Sequence, residues 1–447
     1  MSVPHWLQVK NFGPIKRCDL EVSEMLVLIG EQASGKSTLA KLVYFFKSLP
    51  EEIETCALRH PGEQRLIKRL EEQLLARFEG IFGRLRPIPP FEIAYQYEPG
   101  IELRLSKVRT NQRAAWTFSE QLAAEIPRSL PDTTGPNLSP EMEGLLFIEQ
   151  PEVHLHAAMR ELIDEAHRYG LRSALNQSPR AQFVPAGRSL LSTLSGELQG
   201  INSINFDPLM KSFTQLIYVL RRRFSSSLEE MLREAEEQPG LNDRKILLSK
   251  ASELVKAILR GSYSYQRGEE RLFFEKARSV DLRLASSGQQ EALWILLILF
   301  STFLSNTPTF SAIEEPEAHL FPGAQKEMTQ FLALYKNVRE NLNSDIDVTP
   351  EQNQLLITTH SPYILSVLNN LLYARQLAQR GKEREVRRIV NELCWLDPAT
   401  LGVYFVENGE IRSIIDPELQ LIRTEEIDGA SAAINRQFDA LNELDAE

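Results

Sequence analysis

The segment Gly30-Glu31-Gln32-Ala33-Ser34-Gly35-Lys36-Ser37 fits the pattern G-x-x-x-x-G-K-[ST]. The glycines let the backbone curl so that successive N–H groups point inward at phosphate oxygens. A lysine in this place neutralises the β and γ phosphates of a nucleotide, and the hydroxyl beside it holds Mg2+. Gly30, Gln32, Ala33, Ser34, Gly35, Lys36, Ser37 and Thr38 are the nucleotide-binding residues expected here, with Lys36 also assisting the reaction and Ser37 a metal ligand. The setting agrees with the chemistry. The apolar run Met25–Ile29 stops at Gly30, and beyond Ser37 the residues Leu39, Leu42, Val43 and Phe46 recur at helical spacing. A buried strand, a loop and a helix with its N-terminus toward the anion are what such a loop requires.

Three later segments carry reactive or anion-binding groups. Ala285-Ser286-Ser287-Gly288-Gln289-Gln290 stands directly before the apolar stretch Ala292–Phe300. A turn of small residues at a helix N-terminus is a second anion-binding surface. Phe310–Leu320 places Glu314 and Glu315 at the end of a buried strand, where adjacent carboxylates are costly unless they have work. Glu314 is placed to hold Mg2+ through its water shell, and Glu315 to polarise an attacking water. Leu355–Thr359 leads into His360-Ser361-Pro362. His360 would reach a γ phosphate from a strand end, while Ser361 and Pro362 suit the N-cap and first position of the next helix. Taken singly, each segment has a plainer reading: a helix cap, a strand end reaching solvent, a structural histidine. Their order along the chain lifts them above it.

The elements that must position these groups can be read from the pattern. Trp6–Val9 and Asp19–Val22 open the chain as short strands, and 50–83 is charged and helical. Phe91–Tyr97 and Ile101–Leu105 read as a strand pair around Pro99-Gly100, and Gly144–Ile148 and Ala181–Val184 as further strands. Pro127–Pro140 reads as an exposed loop, and Asp207–Leu259 as a helical insert between two halves of a sheet domain. Phe310–Ile313 and Leu355–Thr359, each followed by a helix, imply a mainly parallel sheet covered on both faces. Val403–Val406 and Ile411–Ile415 flank Asn408-Gly409, a hairpin signal because that turn needs positive φ. A helical tail is expected after it. The domain boundaries expected are 1–190 and 271–405 for two halves of one head, 191–270 for a helical lobe, and 406–447 for the hairpin and tail.

The order of phosphate loop, serine-glycine turn, acidic strand end and histidine strand end resembles the nucleotide-binding heads of ABC-type ATPases. That resemblance implies an α/β P-loop NTPase with a mainly parallel sheet, an antiparallel N-terminal subsheet and a helical lobe. It implies ATP and Mg2+, and hydrolysis with Lys36, Glu315 and His360 as catalytic residues and Ser37 and Glu314 at the metal. It also implies that Ser286, Ser287, Gly288 and Gln289 of one subunit seal the ATP gripped by another. The protein would then work as a homodimer or a larger even-numbered assembly. Ser286–Gln289 and Glu315-Pro316-Glu317-Ala318-His319-Leu320 look like the SMC/RecF-related branch. With Val9–Lys16 and Phe183–Arg188, they are most similar to prokaryotic OLD-like, AAA-15 ATPases of phage-defence operons such as Septu and PARIS. Gln32 stands where SMC-like heads often have Asn, and Glu314 replaces the usual Asp. Phe405–Glu410 superficially resembles the start of a TOPRIM nuclease domain, but the short tail after it predicts none. An effector, a nuclease or toxin, would be a separate protein. Two alternatives stand beside this reading: a RecF-like repair ATPase that clamps DNA, and a nucleotide-binding scaffold with little turnover.

Composition sets limits. The chain of 447 residues is 43% apolar, as a folded globular protein is, and its formal net charge of -11 argues against indiscriminate coating of nucleic acid. Cys18, Cys56 and Cys394 form no metal or disulfide pattern, which suggests a reducing cytoplasm. No leader peptide is expected, and the run Leu293–Phe300 is too short to span a membrane. Arg221-Arg222-Arg223 and the cluster Arg375, Arg380, Lys382, Arg384, Arg387 and Arg388 could meet nucleic acid phosphates, but solvated helix faces are the preferred reading. Ile148–His156 echoes the acidic segment at 313–321. Its preferred reading is a duplicate kept for structure; a seam contact, or a metal site of Glu149, Glu152, His154 and His156, stays open.

Overall fold

The computed structural model describes residues 4–59, 66–128, 180–193, 207–223, 245–266, 269–274, 278–305, 308–338 and 352–424. The echo at 148–156, the expected strand 144–148, most of the loop 127–140 and the tail beyond 424 lie outside these residues. Strands are numbered β1 (His5–Phe12), β2 (Ile15–Val22), β3 (Met25–Ile29), β4 (Phe91–Glu98), β5 (Ile101–Lys107), β6 (Ala115–Phe118) and β7 (Arg180–Val184). They continue as β8 (Ser262–Gln266), β9 (Glu269–Phe273), β10 (Ser279–Asp281), β11 (Thr309–Glu314), β12 (Gln354–Thr359), β13 (Leu401–Glu407) and β14 (Glu410–Ser413). The chain divides into two compact units, one of Met1–Val22, Lys41–Gln182 and Asn408–Glu410, the other of Ser23–Ala40, Phe183–Glu407 and Ile411–Glu447.

The first unit is built on an antiparallel sheet of order β2-β1-β4-β5-β6. Alternation drives it: in β1, His5, Leu7 and Val9 point inward while Trp6, Gln8 and Lys10 point out. The helix Leu66–Phe82 buries Leu66, Leu70, Leu74, Leu75 and Phe78, one stripe at helical spacing. Aromatic rings fill the unit: Phe46 stacks on Tyr95 at 4.8 Å between centroids, and Phe45 on Trp116 at 5.8 Å.

The second unit holds every group singled out for phosphate chemistry. Its main sheet has the order β14-β13-β3-β12-β11-β7. β13 and β12 each run parallel to β3, and β11 runs parallel to β12. These strands are buried along nearly their whole length, as strands inside a parallel sheet are. β10, β9 and β8 form a separate antiparallel sheet. The helix Ser287–Ser305 is buried from Ala292 through Phe300, so the apolar run belongs to a core helix. Among the described residues no helix is long and apolar enough to cross a membrane.

Three features differ from the sequence reading. Val403–Val406 lies in β13, a strand of the main sheet beside β3, and the boundary drawn at 405/406 cuts that strand. A short apolar run before Asn-Gly looks the same whether it serves an appended hairpin or a central strand. The turn itself has the conformation expected, with φ of 52° at Asn408 and 82° at Gly409. The second difference is Arg221, which is buried rather than on a solvated face. It forms a bidentate ion pair with Glu270 at 2.9 and 2.8 Å, and its guanidinium lies 5.3 Å from the centre of the Trp294 ring. Nor do the helices of 207–259 form a lobe of their own: Phe213, Ile217, Leu248, Val255 and Leu259 share one core with Trp294 and the main sheet.

Trp294 is fully buried, and its indole N–H donates to Ser192 Oγ at 3.0 Å. Trp294→Ala removes that bond, the ring under Arg221 and a large core volume. The expected loss is about 3–5 kcal/mol, measured by denaturant unfolding.

Candidate nucleotide-hydrolysis site

Parallel register decides which groups meet. Thr358 of β12 pairs with Glu314 of β11 on one side and with Leu28 of β3 on the other, and Thr359 pairs with Ile29. The C-terminal ends of the three strands therefore lie side by side. At that edge β3 runs into the phosphate loop, β11 ends in the acid pair, and β12 ends at His360. Ligand sites of open parallel sheets form at this edge, where loops leave the strands.

The loop after β3 is tightly curled. Ala33 has φ 61° and Gly35 φ 111°. A Cβ at Gly30 would stand 2.2 Å from the Val406 carbonyl oxygen, so only glycine fits as the chain leaves the sheet. The Lys36 ammonium reaches back across the loop, donating to the carbonyls of Gly30 at 2.8 Å and Glu31 at 2.6 Å. Burial lowers its pKa from the usual lysine value, while Glu315 and Glu317 oppose that shift. Ser34 Oγ is buried without a hydrogen-bond partner. Ser37 and Gln32 are exposed, and Thr38 half-buried.

Across the edge, Glu315, His360 and Lys36 form a line. Glu315 Oε1 lies 3.2 Å from His360 Nε2, and His360 Nδ1 lies 3.5 Å from Lys36 Nζ. With the ammonium as donor, Nδ1 accepts and Nε2–H donates to the carboxylate, which fixes one tautomer. Glu315 is held in an unusual backbone conformation, φ 44°, and His319 at φ 60°. Side chains other than glycine rarely occupy this region, and such strain concentrates at functional sites. The Glu315 N–H donates to the Thr358 carbonyl at 2.9 Å, which fixes the acid to the neighbouring strand.

Glu314 is buried. Its Oε2 accepts from the Ala186 N–H at 3.2 Å, and its Oε1 has no hydrogen-bond partner. A buried carboxylate oxygen left bare is costly in a folded protein. Carboxylate and hydroxyl oxygens such as those of Glu314 and Ser37 are the hard ligands Mg2+ prefers, and the orphaned oxygen fits a role toward the ion or its water shell. Among the described residues no group of three or more acidic, histidine or cysteine side chains makes a metal cage.

The serine-glycine turn begins the helix Ser287–Ser305. Ser286 Oγ accepts from the Gln289 N–H at 3.3 Å, and Gln289 Oε1 accepts from the Ser286 N–H at 3.1 Å. This is a capping box, so the plainer reading of Ser286 and Gln289 holds locally. Gln289 also donates to the Leu259 carbonyl at 2.7 Å. Ser287 remains exposed, at the positive end of a long helix dipole. Gly288 is packed so closely that a Cβ would stand 2.6 Å from the His319 carbonyl oxygen, which places the turn against the loop that follows the acid pair.

Two residues of the site were not assigned roles from sequence. Glu317 Oε1 accepts from the Thr359 hydroxyl at 2.6 Å and from the His360 N–H at 2.8 Å, bracing the histidine. Arg188, fully buried, donates to the carbonyls of both Glu314 and Glu315 at 2.6 and 2.9 Å. The segment Phe183–Arg188 stood out only through the family resemblance, and nothing in its composition marks these bonds.

The family model AAA_15, described as "AAA ATPase domain", matches residues 167–365. That range contains the serine-glycine turn, the acid pair and His360, while the phosphate loop lies before it. The protein is an ATPase of mixed α/β fold. No curated protein matches the chain. Three solved structures align along nearly its whole length. An Smc head domain from Pyrococcus furiosus, with an extended coiled coil and bound to the C-terminal domain of ScpA, is 12% identical, covers 93% of this chain and 96% of its own, and has a TM-score of 0.38. The SMC head domain of Thermotoga maritima is 11% identical, over 93% and 98%, with a TM-score of 0.35. An Smc head domain with a coiled coil and joint from Pyrococcus yayanosii is 12% identical, over 96% and 100%, with a TM-score of 0.40.

Glu317→Ala removes the acceptor of two bonds that brace His360. Hydrolysis is expected to fall about tenfold, the effect of roughly 1.4 kcal/mol on the barrier, while ATP affinity is kept. A steady-state phosphate-release assay checks it.

Proposed function

We propose that the protein is an ATP-driven switch in which each nucleotide is gripped by the phosphate loop of one subunit and sealed by the serine-glycine turn of another. The observation that carries the hydrolytic part is the line of Lys36, His360 and Glu315 at the carboxyl edge of the parallel sheet. Lys36 and the N–H groups of 33–38 would take the β and γ phosphates. Ser37 and Glu314 would hold Mg2+, which supplies charge neutralisation at the phosphates when bound. Glu315 would accept the proton of the attacking water, with His360 orienting the carboxylate and the γ phosphate.

Support for a paired assembly comes from the turn itself. Ser287 at the start of a long helix is exposed, and Leu284 and Phe321, a few residues along the chain from the Gly288–His319 contact, are largely exposed apolar residues. Exposed apolar groups around an anion-binding turn suit an interface that closes over a partner's nucleotide. ATP then favours the closed pair, and hydrolysis releases it. The finer assignment, an ATPase of a phage-defence operon commanding a separate effector such as a nuclease or toxin, rests on the sequence resemblance. Affinity purification of the native complex tests it, with the product of a neighbouring gene as the expected companion.

The enzymatic reading makes a sharp pair of predictions. Lys36→Ala abolishes ATP binding or turnover. Glu315→Gln keeps ATP binding, lowers hydrolysis on the order of a hundredfold or more, and accumulates the closed assembly in size-exclusion chromatography with ATP. Normal hydrolysis by the glutamine variant would remove Glu315 from its role. For the shared site, Ser286→Arg is expected to be inactive alone, and mixing it with Lys36→Ala protein restores turnover at no more than one site per pair.

A further inference from the structure

We infer that Arg188 is the positioning residue of the hydrolytic site: its guanidinium sets the peptide planes of Glu314 and Glu315 and ties them to the helix that begins at the serine-glycine turn. The inference rests on the ATPase reading above. Arg188 is wholly buried, and four of its N–H bonds are spent on one small region. Nη1 donates to the carbonyls of Pro185 at 2.8 Å and Glu314 at 2.6 Å, and Nη2 to the carbonyl of Glu315 at 2.9 Å. Nε donates to the Glu291 carbonyl at 3.0 Å and lies 3.1 Å from the Glu291 carboxylate. That carboxylate also accepts from the backbone N–H groups of Arg188 and Ser189 at 3.1 and 3.0 Å.

A side chain used only to fill the core would not be charged, since burying an ion pair gives little net stability over apolar packing. The bonds of Arg188 have a narrower effect. Glu315 sits at φ 44°, a strained conformation that persists only where its surroundings over-determine it. Its N–H is fixed by Thr358 and its carbonyl by Arg188 and the Ala318 N–H, so both ends of the residue are held. The Ala186 N–H, two residues before Arg188, meanwhile holds Glu314 Oε2. Glu291 lies one turn into the helix that Ser287 opens, so the same ion pair joins that helix to the acids. Only a planar fork reaches four acceptors in these directions; a lysine ammonium has three donors on one atom.

The test is a four-way comparison of wild type, Arg188→Lys, Glu315→Gln and the double variant, by single-turnover hydrolysis of ATP with Mg2+, equilibrium ATP binding and thermal unfolding. Arg188→Lys is expected to slow hydrolysis on the order of tenfold or more with ATP affinity kept within about threefold. In the Glu315→Gln background the same change is expected to cost less than about twofold, because a residue acting through Glu315 has nothing left to position. An unchanged rate in Arg188→Lys, an equal loss in both backgrounds, or a parallel fall in affinity would each overturn the inference. Should Arg188→Lys fail to fold, the isosteric Glu291→Gln is read in the same cycle with the same expectations. Wild-type protein without ATP hydrolysis would instead sink the ATPase reading and the inference with it.

Discussion

The structure depends on the shared direction and register of β3, β12 and β11. Three parallel strands paired Ile29 to Thr359 and Thr358 to Glu314 must release their chains at one edge. Nothing else would bring a loop near residue 30, an acid pair near 315 and a histidine at 360 within hydrogen-bond reach. The apolar content of the strands secures this register. The buried core of the second unit extends from Val27 and Ile357 to Trp294 and Leu332. A slip of one residue in any of the three would reverse its side chains and separate the groups.

At the edge, the structure trades local ease for placement. Glu315 and His319 occupy left-handed backbone conformations, Glu314 keeps a bare buried oxygen, and Arg188 is a wholly buried charged side chain. Each is unfavourable in isolation, by roughly 1–3 kcal/mol for the backbone strain alone. The large apolar core and the braces from Thr358, Glu317 and Arg188 offset these costs. Rigid placement of this kind is how hydrolytic sites stabilise charge without reorganising during the reaction.

The tight loop between β3 and the helix after it was legible because residues 30–37 are contiguous and fit one pattern of glycines, lysine and hydroxyl. The acid pair and His360 stood out because charged or titratable groups follow closely on the mostly apolar runs Phe310–Ile313 and Leu355–Ile357. Arg188 and Glu317 were not. Their partners lie up to 127 residues away in sequence for Arg188 and 42 or 43 for Glu317, and a charged residue in a loop gives no sign that it will be buried. The same blindness applied to Arg221, whose position in a run of three arginines suggested solvent while its partner Glu270 lies on β9. β13 was misplaced for a different reason: four apolar residues before a tight turn do not reveal which strand lies beside them.

The central claim is that nucleotide phosphates lie at the carboxyl edge of β3, between Lys36 and the Glu315–His360 pair. A crystal or cryo-EM structure with Mg2+ and a non-hydrolysable ATP analogue tests it directly. The account predicts β and γ phosphates ringed by the N–H groups of residues 33–38 with the terminal phosphate between Lys36 and His360. Nucleotide bound anywhere else, with that edge untouched, would contradict it.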